Sequence, residues 1–181
     1  VLPLTVGPNE TNCYLVAAES GGDCLVIDPG AEADKIVKAA AVERLQIKTI
    51  ILTHAHYDHM GAVADLQKLT KAQLCLHKEE LPILKDPIKN LSTYIGTEAV
   101  SLKTSCLLSD GQTVQVGSVA YKIIHTPGHT PGSISVLANT ALFCGDLIFQ
   151  NSVGRTDLPG GNSDLLHHSI HKKIMTLDDD I

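Results

Sequence analysis

Four residues able to bind a metal ion lie within a stretch of six, in the segment "THAHYDHMG" at residues 53–61. They are His54, His56, Asp58 and His59, and they follow the apolar run "IKTIIL". His54 and His56 are two residues apart on an extended stretch, so their side chains point the same way. Asp58 and His59 lie past a turn and address a second point nearby. The alternative is a His-rich surface loop, but imidazole and carboxylate are zinc ligands, and the pattern favours a metal site.

Two later segments carry ligand-type residues at similar places. The segment "HTPGHTPGS" at 125–133 follows the strand-like "YKII", and its Pro and Gly residues predict a rigid loop that presents His125 or His129. The segment "FCGD" at 143–146 ends another apolar run on Asp146. A carboxylate is unfavourable to bury there unless it is paired or metal-bound. Three strand ends with such residues are typical of a dinuclear metal site.

The remaining histidines receive structural interpretations. His77 ends a predicted strand and is expected to cap or pack. His167, His168 and His171 lie on the last predicted helix, where His167 and His171 are four residues apart. No third ligand is close to that pair in the sequence, so we expect a face turned to solvent or to a partner.

The order of the predicted elements indicates an α/β protein, with strand and helix alternating in the first half. Hydrophobic spacing predicts strands at 12–17, 24–27, 47–52 and 73–77 and helices at 32–45 and 61–69. Residues 86–109 are less periodic and are interpreted as a loop with one helical turn, a candidate lid. A β-rich part follows, and then a helix at 163–177 with Ser163 as its N-cap.

Length and composition predict one domain, or one domain with a small appendage. The chain has 181 residues and a formal net charge of −6 at pH 7, with no basic patch, which argues against nucleic acid as a partner. No apolar run approaches the roughly 18 residues of a membrane span. The five cysteines are odd in number, scattered and without a C-x-x-C pair, which is typical of reduced thiols in a cytoplasmic protein.

Taken together, "THAHYDHMGA", "HTPGHTPGS" and "FCGDLIF" resemble, in order and spacing, the motifs of the metallo-β-lactamase superfamily. The segment "VGRTDLPGG" at 153–161 is similar to the glyoxalase II (hydroxyacylglutathione hydrolase) branch, in particular its short bacterial members. Persulfide dioxygenases of the same branch carry a similar segment. The resemblance implies a four-layer αβ/βα sandwich with two divalent metal ions at one edge, between the two sheets.

The resemblance also implies a ligand set. Carried over by position, site 1 is His54, His56 and His129, Asp146 bridges both ions, and site 2 takes Asp58 and His59. In the family, the last site 2 ligand is a histidine in a "PGHG"-like segment after the final helix. This chain stops at "LDDDI", before that segment, so we expect a single domain, 1–181, without its C-terminal strand and helix, and with site 2 incomplete. An uncovered sheet edge would invite self-association.

The function implied is hydrolysis of a thioester such as an S-acylglutathione by a metal-activated water, with zinc the first choice and iron or manganese also suited. Asp58 would orient the water, and Arg155 would bind a substrate carboxylate unless it pairs with Asp157 instead. Asp28 and Thr53 would support the His loop or merely cap a strand end. One alternative is a mononuclear iron persulfide dioxygenase that uses three of these ligands: His54, His129 and Asp146. Another is a truncated metal-binding domain without activity.

Overall fold

The computed structural model describes residues 1–95 and 102–181, and its larger sheet has six strands. The strands are adjacent in chain order, with β1 to β3 antiparallel and β3 to β6 parallel. Their bounds are β1 Leu2–Val6, β2 Thr11–Val16, β3 Asp23–Ile27, β4 Gln46–Ile51, β5 Gln73–His77 and β6 Thr104–Leu108. The carboxyl ends of the parallel strands therefore meet at one edge of this sheet.

The second sheet has four antiparallel strands in the order β10-β9-β8-β7. Their bounds are β7 Thr113–Val116, β8 Val119–His125, β9 Ile134–Ala138 and β10 Ala141–Phe143. A separate two-stranded hairpin, β11 Ile148–Phe149 and β12 Ser152–Val153, follows at once. At the functional edge the two sheets are joined by the backbone, because Ile134 N–H donates to the carbonyl of Thr53 over 2.9 Å.

Short helices fill the connections. The α-helices are α1 Ala33–Val42, α2 Tyr57–Met60, α3 Val63–Thr70, α4 Leu81–Leu84 and α5 Ser163–Ser169. Single 3-10 turns occur at Lys78–Glu80, Ser92–Ile95 and Gly145–Leu147, and α5 runs into a π-helical turn at Ile170–Ile174. Within residues 1–95 and 102–181, none of these helices combines the length and the apolar character that a bilayer crossing requires.

Strand β3 shows how the layers are built, since its residues are buried on both faces. Val26 faces the helices and packs in a core with Ile36 of α1 and Leu66 of α3. Leu25 and Ile27 face the second sheet. The core between the sheets includes Tyr121, Ile123 and Val136, and the Tyr121 hydroxyl donates to the Val16 carbonyl across it, over 3.2 Å. A strand covered on both sides needs the continuous apolar run seen at 24–27.

Several elements differ from the sequence-based expectation, among them helix α4 and the hairpin of β11 and β12, which were not predicted. Strand β1 was not predicted. The reading of 86–109 as a loop is wrong at Thr104–Leu108, which pairs with β5 as an edge strand and has the alternating burial of a half-covered strand. The middle of the candidate lid, 96–101, lies outside the described residues. The last helix is capped by Asn162 rather than Ser163, because the Asn162 side chain accepts from Leu165 N–H at 3.0 Å.

Candidate metal centre

The loop between β4 and α2 carries most of the ligand-type side chains. The backbone of His56 is extended, with φ −73° and ψ 149°, and α2 begins at the next residue. His54 and His56 therefore lie on the extended part, and Asp58 and His59 lie in the first turn of the helix. Gly30 allows this turn to sit close to the end of β3, because a Cβ there would collide with the Asp58 carbonyl.

His54, His56 and His129 form a compact group of imidazoles at the sheet edge. Each offers a ring nitrogen within 4.8 Å of the others, and all three residues are at most 2% exposed. His56 Nδ1 lies 2.9 Å from His129 Nε2. The Nε2 atoms of His54 and His56 are buried and lack a hydrogen-bond partner among the described residues. Buried polar atoms are nearly always satisfied, so a cation that takes His54 Nε2 as one of its ligands fits this donor set.

The electrostatics keep His54 and His56 neutral. Burial, and then the neighbouring histidines, hold the pKa of His54 well below its usual value. Burial and His129 lower the pKa of His56 to about 3. Neutral imidazole is the form that binds metal, because its lone pair is free.

A second group overlaps the first and consists of His54, His59 and Asp146. Asp146 Oδ1 lies 3.1 Å from His59 Nε2, and Asp146 Oδ2 lies 3.5 Å from His129 Nε2, so one carboxylate faces both groups. Burial alone would lower the pKa of His59, but the carboxylates of Asp28 and Asp146 outweigh it and raise that pKa well above its usual value. Burial alone would raise the pKa of Asp146, but His59 outweighs it and the pKa is lowered.

Asp58 lies at the margin of the cluster. Its Oδ2 is 3.9 Å from His59 Nε2, and its side chain is 33% exposed. The same oxygen accepts from Asn9 Nδ2 at 3.3 Å and from the Thr11 hydroxyl at 3.5 Å. Both donors were missed by the sequence analysis, since they belong to a turn and a strand far from the motif along the chain.

Asp28 supports the His loop from below. Its two oxygens accept from Thr53 N–H at 2.7 Å and from the Thr53 hydroxyl at 2.6 Å, and Oδ2 lies 2.9 Å from His59 Nδ1. Thr53 Oγ1 in turn is 3.1 Å from His54 Nδ1. Because the Thr53 hydroxyl proton goes to Asp28, its oxygen accepts from His54 Nδ1–H. Asp28 is thus a support of the loop and not only a cap on β3.

These contacts orient three rings in the same way. In His54, His59 and His129, the Nδ1–H group donates to a protein oxygen, and the acceptor for His129 is the Arg155 carbonyl at 2.8 Å. Their Nε2 atoms therefore face the cluster, where those of His59 and His129 lie 3.1 Å from Asp146 Oδ1 and 2.9 Å from His56 Nδ1. Partners of this kind fix the tautomer of metal-binding histidines. The Arg155 carbonyl was invisible to sequence analysis, because a backbone group leaves no residue-type signal.

The Arg155 side chain adopts the alternative arrangement considered above. Its Nε and Nη2 donate to the two oxygens of Asp157 at 2.7 and 2.8 Å, and both side chains are mostly exposed. The hydrogen bonds from Arg155 lower the pKa of Asp157 to about 2. The guanidinium fork is therefore already paired.

His125 lies apart from the two ligand groups. Its ring stacks on His77 with centroids 4.1 Å apart, and its Nε2–H donates to the Pro131 carbonyl at 2.8 Å. His77 caps the 3-10 turn at Lys78–Glu80, because its Nδ1 accepts from Glu79 N–H at 3.4 Å, and this confirms the capping expectation. Of the two histidines in the 125–133 loop, only His129 joins the cluster at the β4 loop.

A cavity of about 560 Å³ opens beside the cluster. Asp58, His59 and Asp146 form one wall, and Tyr14 and Phe149 contribute apolar surface. A volume of this size falls in the range of roughly 300–1,000 Å³ usual for small-molecule sites. A small molecule held there would touch the side chains most able to bind or activate a nucleophile.

Two sheets with a buried imidazole cluster and a shared carboxylate at their common edge define a metallo-hydrolase fold. The chain belongs to the metallo-β-lactamase superfamily, whose family model matches residues 6–181. This confirms the fold expected from the motifs and places a metal-binding His/Asp cluster in its usual structural context.

Relatives of the chain cover nearly all of it. An uncharacterized protein of Aquifex aeolicus is 39% identical over 176 residues, which are 96% of this chain and 82% of the relative. The "Probable metallo-hydrolase YqgX" of Bacillus subtilis is 36% identical, and the match covers 96% of this chain and 83% of that protein. The "Hydroxyacylglutathione hydrolase GloC" of Haemophilus influenzae is 30% identical, and the match covers 100% of this chain and 86% of that protein.

Solved structures agree with the fold. The BLEG-1 B3 metallo-beta-lactamase superposes with a TM-score of 0.90 at 35% identity and covers 98% of this chain and 86% of its own. TTHA1623, crystallised in a di-iron-bound form, superposes with a TM-score of 0.85 at 34% identity, and the match covers 98% of this chain and 87% of that one. ETHE1 from Myxococcus xanthus superposes with a TM-score of 0.82 at 26% identity, and the match covers 99% of this chain and 71% of that one.

Proposed function

We propose that this protein is a metal-dependent thioester hydrolase that acts on an S-acylated thiol such as an S-acylglutathione. The observation that carries the proposal is the pair of overlapping ligand groups that share Asp146, beside a cavity of about 560 Å³. A shared carboxylate between two groups is the arrangement of a dinuclear hydrolytic site. The relative named hydroxyacylglutathione hydrolase supports the substrate class.

The proposed ligands follow the geometry of the cluster. His54, His56 and His129 would hold one ion, His59 with Asp58 at the margin of the cluster would hold the second, and Asp146, which faces both groups, would contribute to each. Zinc suits these nitrogen and oxygen donors, and the di-iron form of a similar structure makes iron the main competitor. When bound, two such ions lower the pKa of water and polarise a carbonyl group.

Asp58 is the proposed catalytic residue of the chain. Its oxygen is held by Asn9 and Thr11 at the margin of the cavity, so a water lodged there donates a hydrogen bond to a carboxylate that is already oriented. The leaving group of a thioester is a thiolate, whose parent thiol has a pKa of about 8.5. A thiolate leaves without prior protonation, so the chain need not supply a general acid.

Arg155 is proposed to bind a carboxylate of the substrate by exchange. Its bidentate pair with Asp157 is exposed, and exposed pairs contribute little free energy, so a substrate carboxylate can replace Asp157 on the guanidinium. The fork geometry that now fits Asp157 fits any other carboxylate equally well.

The persulfide dioxygenase alternative uses only His54, His129 and Asp146. It assigns no role to His59, yet the His59 ring lies 3.1 Å from Asp146 and is oriented by Asp28. This position of the His59 ring favours a site with two metal ions over a site with one. The third possibility, a metal-binding domain without activity, differs only in turnover.

A test combines metal analysis with two assays on the same preparation. We expect protein loaded with Zn²⁺ to hydrolyse an S-acylglutathione. The reaction is measured through the free thiol that it releases. Asp58→Asn should abolish most of this activity, whereas Asp65→Asn, an exposed carboxylate on α3, should leave it unchanged. Oxygen consumption with glutathione persulfide and iron, in place of thioester hydrolysis, would overturn the proposal. Absence of both activities in fully loaded protein would favour the inactive domain.

A further inference from the structure

One buried carboxylate lies outside the proposed ligand set. Glu80 ends the 3-10 turn after β5 and is 0% exposed. Across the described ranges no Lys, Arg or His forms an ion pair with it. A buried carboxylate without a cation needs several hydrogen-bond donors in its place.

Three donors surround Glu80, and they come from two different loops. Oε2 accepts from Ala55 N–H at 2.7 Å. Oε1 accepts from the Thr130 hydroxyl at 2.5 Å and from Gly132 N–H at 2.8 Å. Ala55 lies between His54 and His56, and Thr130 follows His129 directly. One side chain therefore links the two chain segments that carry the three-histidine group.

The contact is close as well as charged. A Cβ on Gly132 would lie 2.7 Å from Glu80 N and 2.8 Å from Glu80 Cγ, so the 125–133 loop packs directly on the turn that carries Glu80. The Thr130 hydroxyl, which gives its proton to Glu80, lies 2.7 Å from Ser133 Oγ and accepts from it. All donors point at the carboxylate, which is the pattern for an ionised group that only accepts.

We propose that Glu80 is a positioning residue, which fixes the separation of the two loops so that His54, His56 and His129 are arranged for one ion before the ion arrives. The proposal rests on the proposed metal site but not on the thioester reaction. Groups that orient metal ligands through hydrogen bonds typically contribute about 10–100-fold to metal affinity. Hydrogen bonds to an ionised carboxylate are stronger than those between neutral groups. Their loss should therefore change the positions of the histidines.

The test measures metal affinity of the full chain, with Co²⁺ as a spectroscopic probe and Zn²⁺ in competition with a chelator. Glu80→Gln keeps the shape of the side chain but places an amide N–H₂ against backbone donors. We expect about 10–100-fold weaker Zn²⁺ binding and an altered Co²⁺ visible spectrum. Glu43→Gln changes an exposed carboxylate at the end of α1, away from the histidines, and should match the wild type.

A second pair of variants decides the matter if Glu80→Gln does not fold. Thr130→Val removes one donor to Glu80, and Thr130→Ser restores the hydroxyl. We expect Val to weaken Zn²⁺ binding and shift the Co²⁺ spectrum, and Ser to recover both. Variants that lower the melting temperature while binding Zn²⁺ and Co²⁺ like the wild type would show a purely structural role and overturn the inference. Wild-type protein that binds metal but does not hydrolyse thioesters would refute the proposed reaction and leave Glu80 positioning intact.

Discussion

His56 Nδ1 and His129 Nε2 lie 2.9 Å apart although 73 residues separate them in the chain. His56 follows β4 of the first sheet, and His129 follows β8 of the second. Two nitrogens bound to one tetrahedral zinc at about 2.0–2.1 Å would be roughly 3.3 Å apart. The two rings therefore need to separate by only a few tenths of an ångström to share an ion, so the cluster is already close to a ligand geometry.

Asp146→Ala should deplete bound metal more than His59→Ala does. The Asp146 carboxylate faces both His59 and His129, at 3.1 and 3.5 Å, whereas His59 belongs to one group only. Metal per chain, measured after dialysis, should fall below one ion for Asp146→Ala and stay near one for His59→Ala. A His59→Ala protein poorer in metal than Asp146→Ala would contradict the bridging position.

Asp28→Asn should weaken metal binding by about 10–100-fold without removing a ligand. The amide has one accepting oxygen, so it cannot serve Thr53 N–H at one position and both the Thr53 hydroxyl and His59 Nδ1–H at the other, as the two carboxylate oxygens do. Competition with a chromogenic chelator measures the affinity. Asp23→Asn is the matched control, because Asp23 begins the strand that Asp28 follows, is exposed and forms only a long ion pair of 3.9 Å with Lys48. Equal affinities for the two variants would reduce Asp28 to a cap on β3.

Arg155→Ala should raise KM for a glutathione thioester several-fold with little change in kcat. A guanidinium that binds a remote carboxylate contributes equally to the ground state and the transition state. Its loss spares the Arg155 carbonyl, so His129 keeps its partner. Asp157→Ala frees the guanidinium and should lower KM. If neither variant moves KM, the pair with Asp157 is the whole role of the side chain.

Gly145→Ala should destabilise the fold and disturb the site. Gly145 has φ +51°, and a Cβ there would meet the Thr53 side chain, with Thr53 Cβ at 2.7 Å. Gly111→Ala is the control, since Gly111 has φ +75° but open space around its Cβ. The left-handed backbone alone should cost about 1–2 kcal/mol in both, and the collision should add to it at Gly145.

Urea unfolding of the metal-free variants gives the two free energies of unfolding. Metal content separates the effects further, since Thr53 supports His54 and Asp146 follows Gly145. We expect the Gly111→Ala protein to bind metal like the wild type and the Gly145→Ala protein to bind less. Equal losses of stability in the two variants would mean that the Thr53 loop adjusts freely.

The side chains of the cluster could be proposed from the sequence because their signals are local. His54, His56, Asp58 and His59 stand together after an apolar strand, and Asp146 ends another. Their convergence follows from where strand ends meet in such sheets. The choice of His129 over His125 came from the resemblance, and the geometry that separates them, the stacking of His125 on His77, depends on contacts between the two sheets.

What the sequence concealed is long-range or backbone in nature. Glu80 stands in the unremarkable stretch "HKEELP", and its three donors are 25 to 52 residues away. Strand β6 was read as loop because "TSCLL" is short and covers one edge of the sheet. Propensity cannot reveal such a strand, since its stability comes from pairing with β5.

The distribution of the ligands over both sheets bears on how the protein is made. His54 and Asp146 are far apart in sequence, and contacts of such separation form late in folding because closing a long loop is entropically unfavourable. We expect zinc to slow unfolding and to leave the refolding rate unchanged, as for an interaction absent from the folding transition state. Faster refolding in the presence of zinc would contradict this. During synthesis, a chain still on the ribosome would complete its metal centre only after residue 146 has left the exit tunnel.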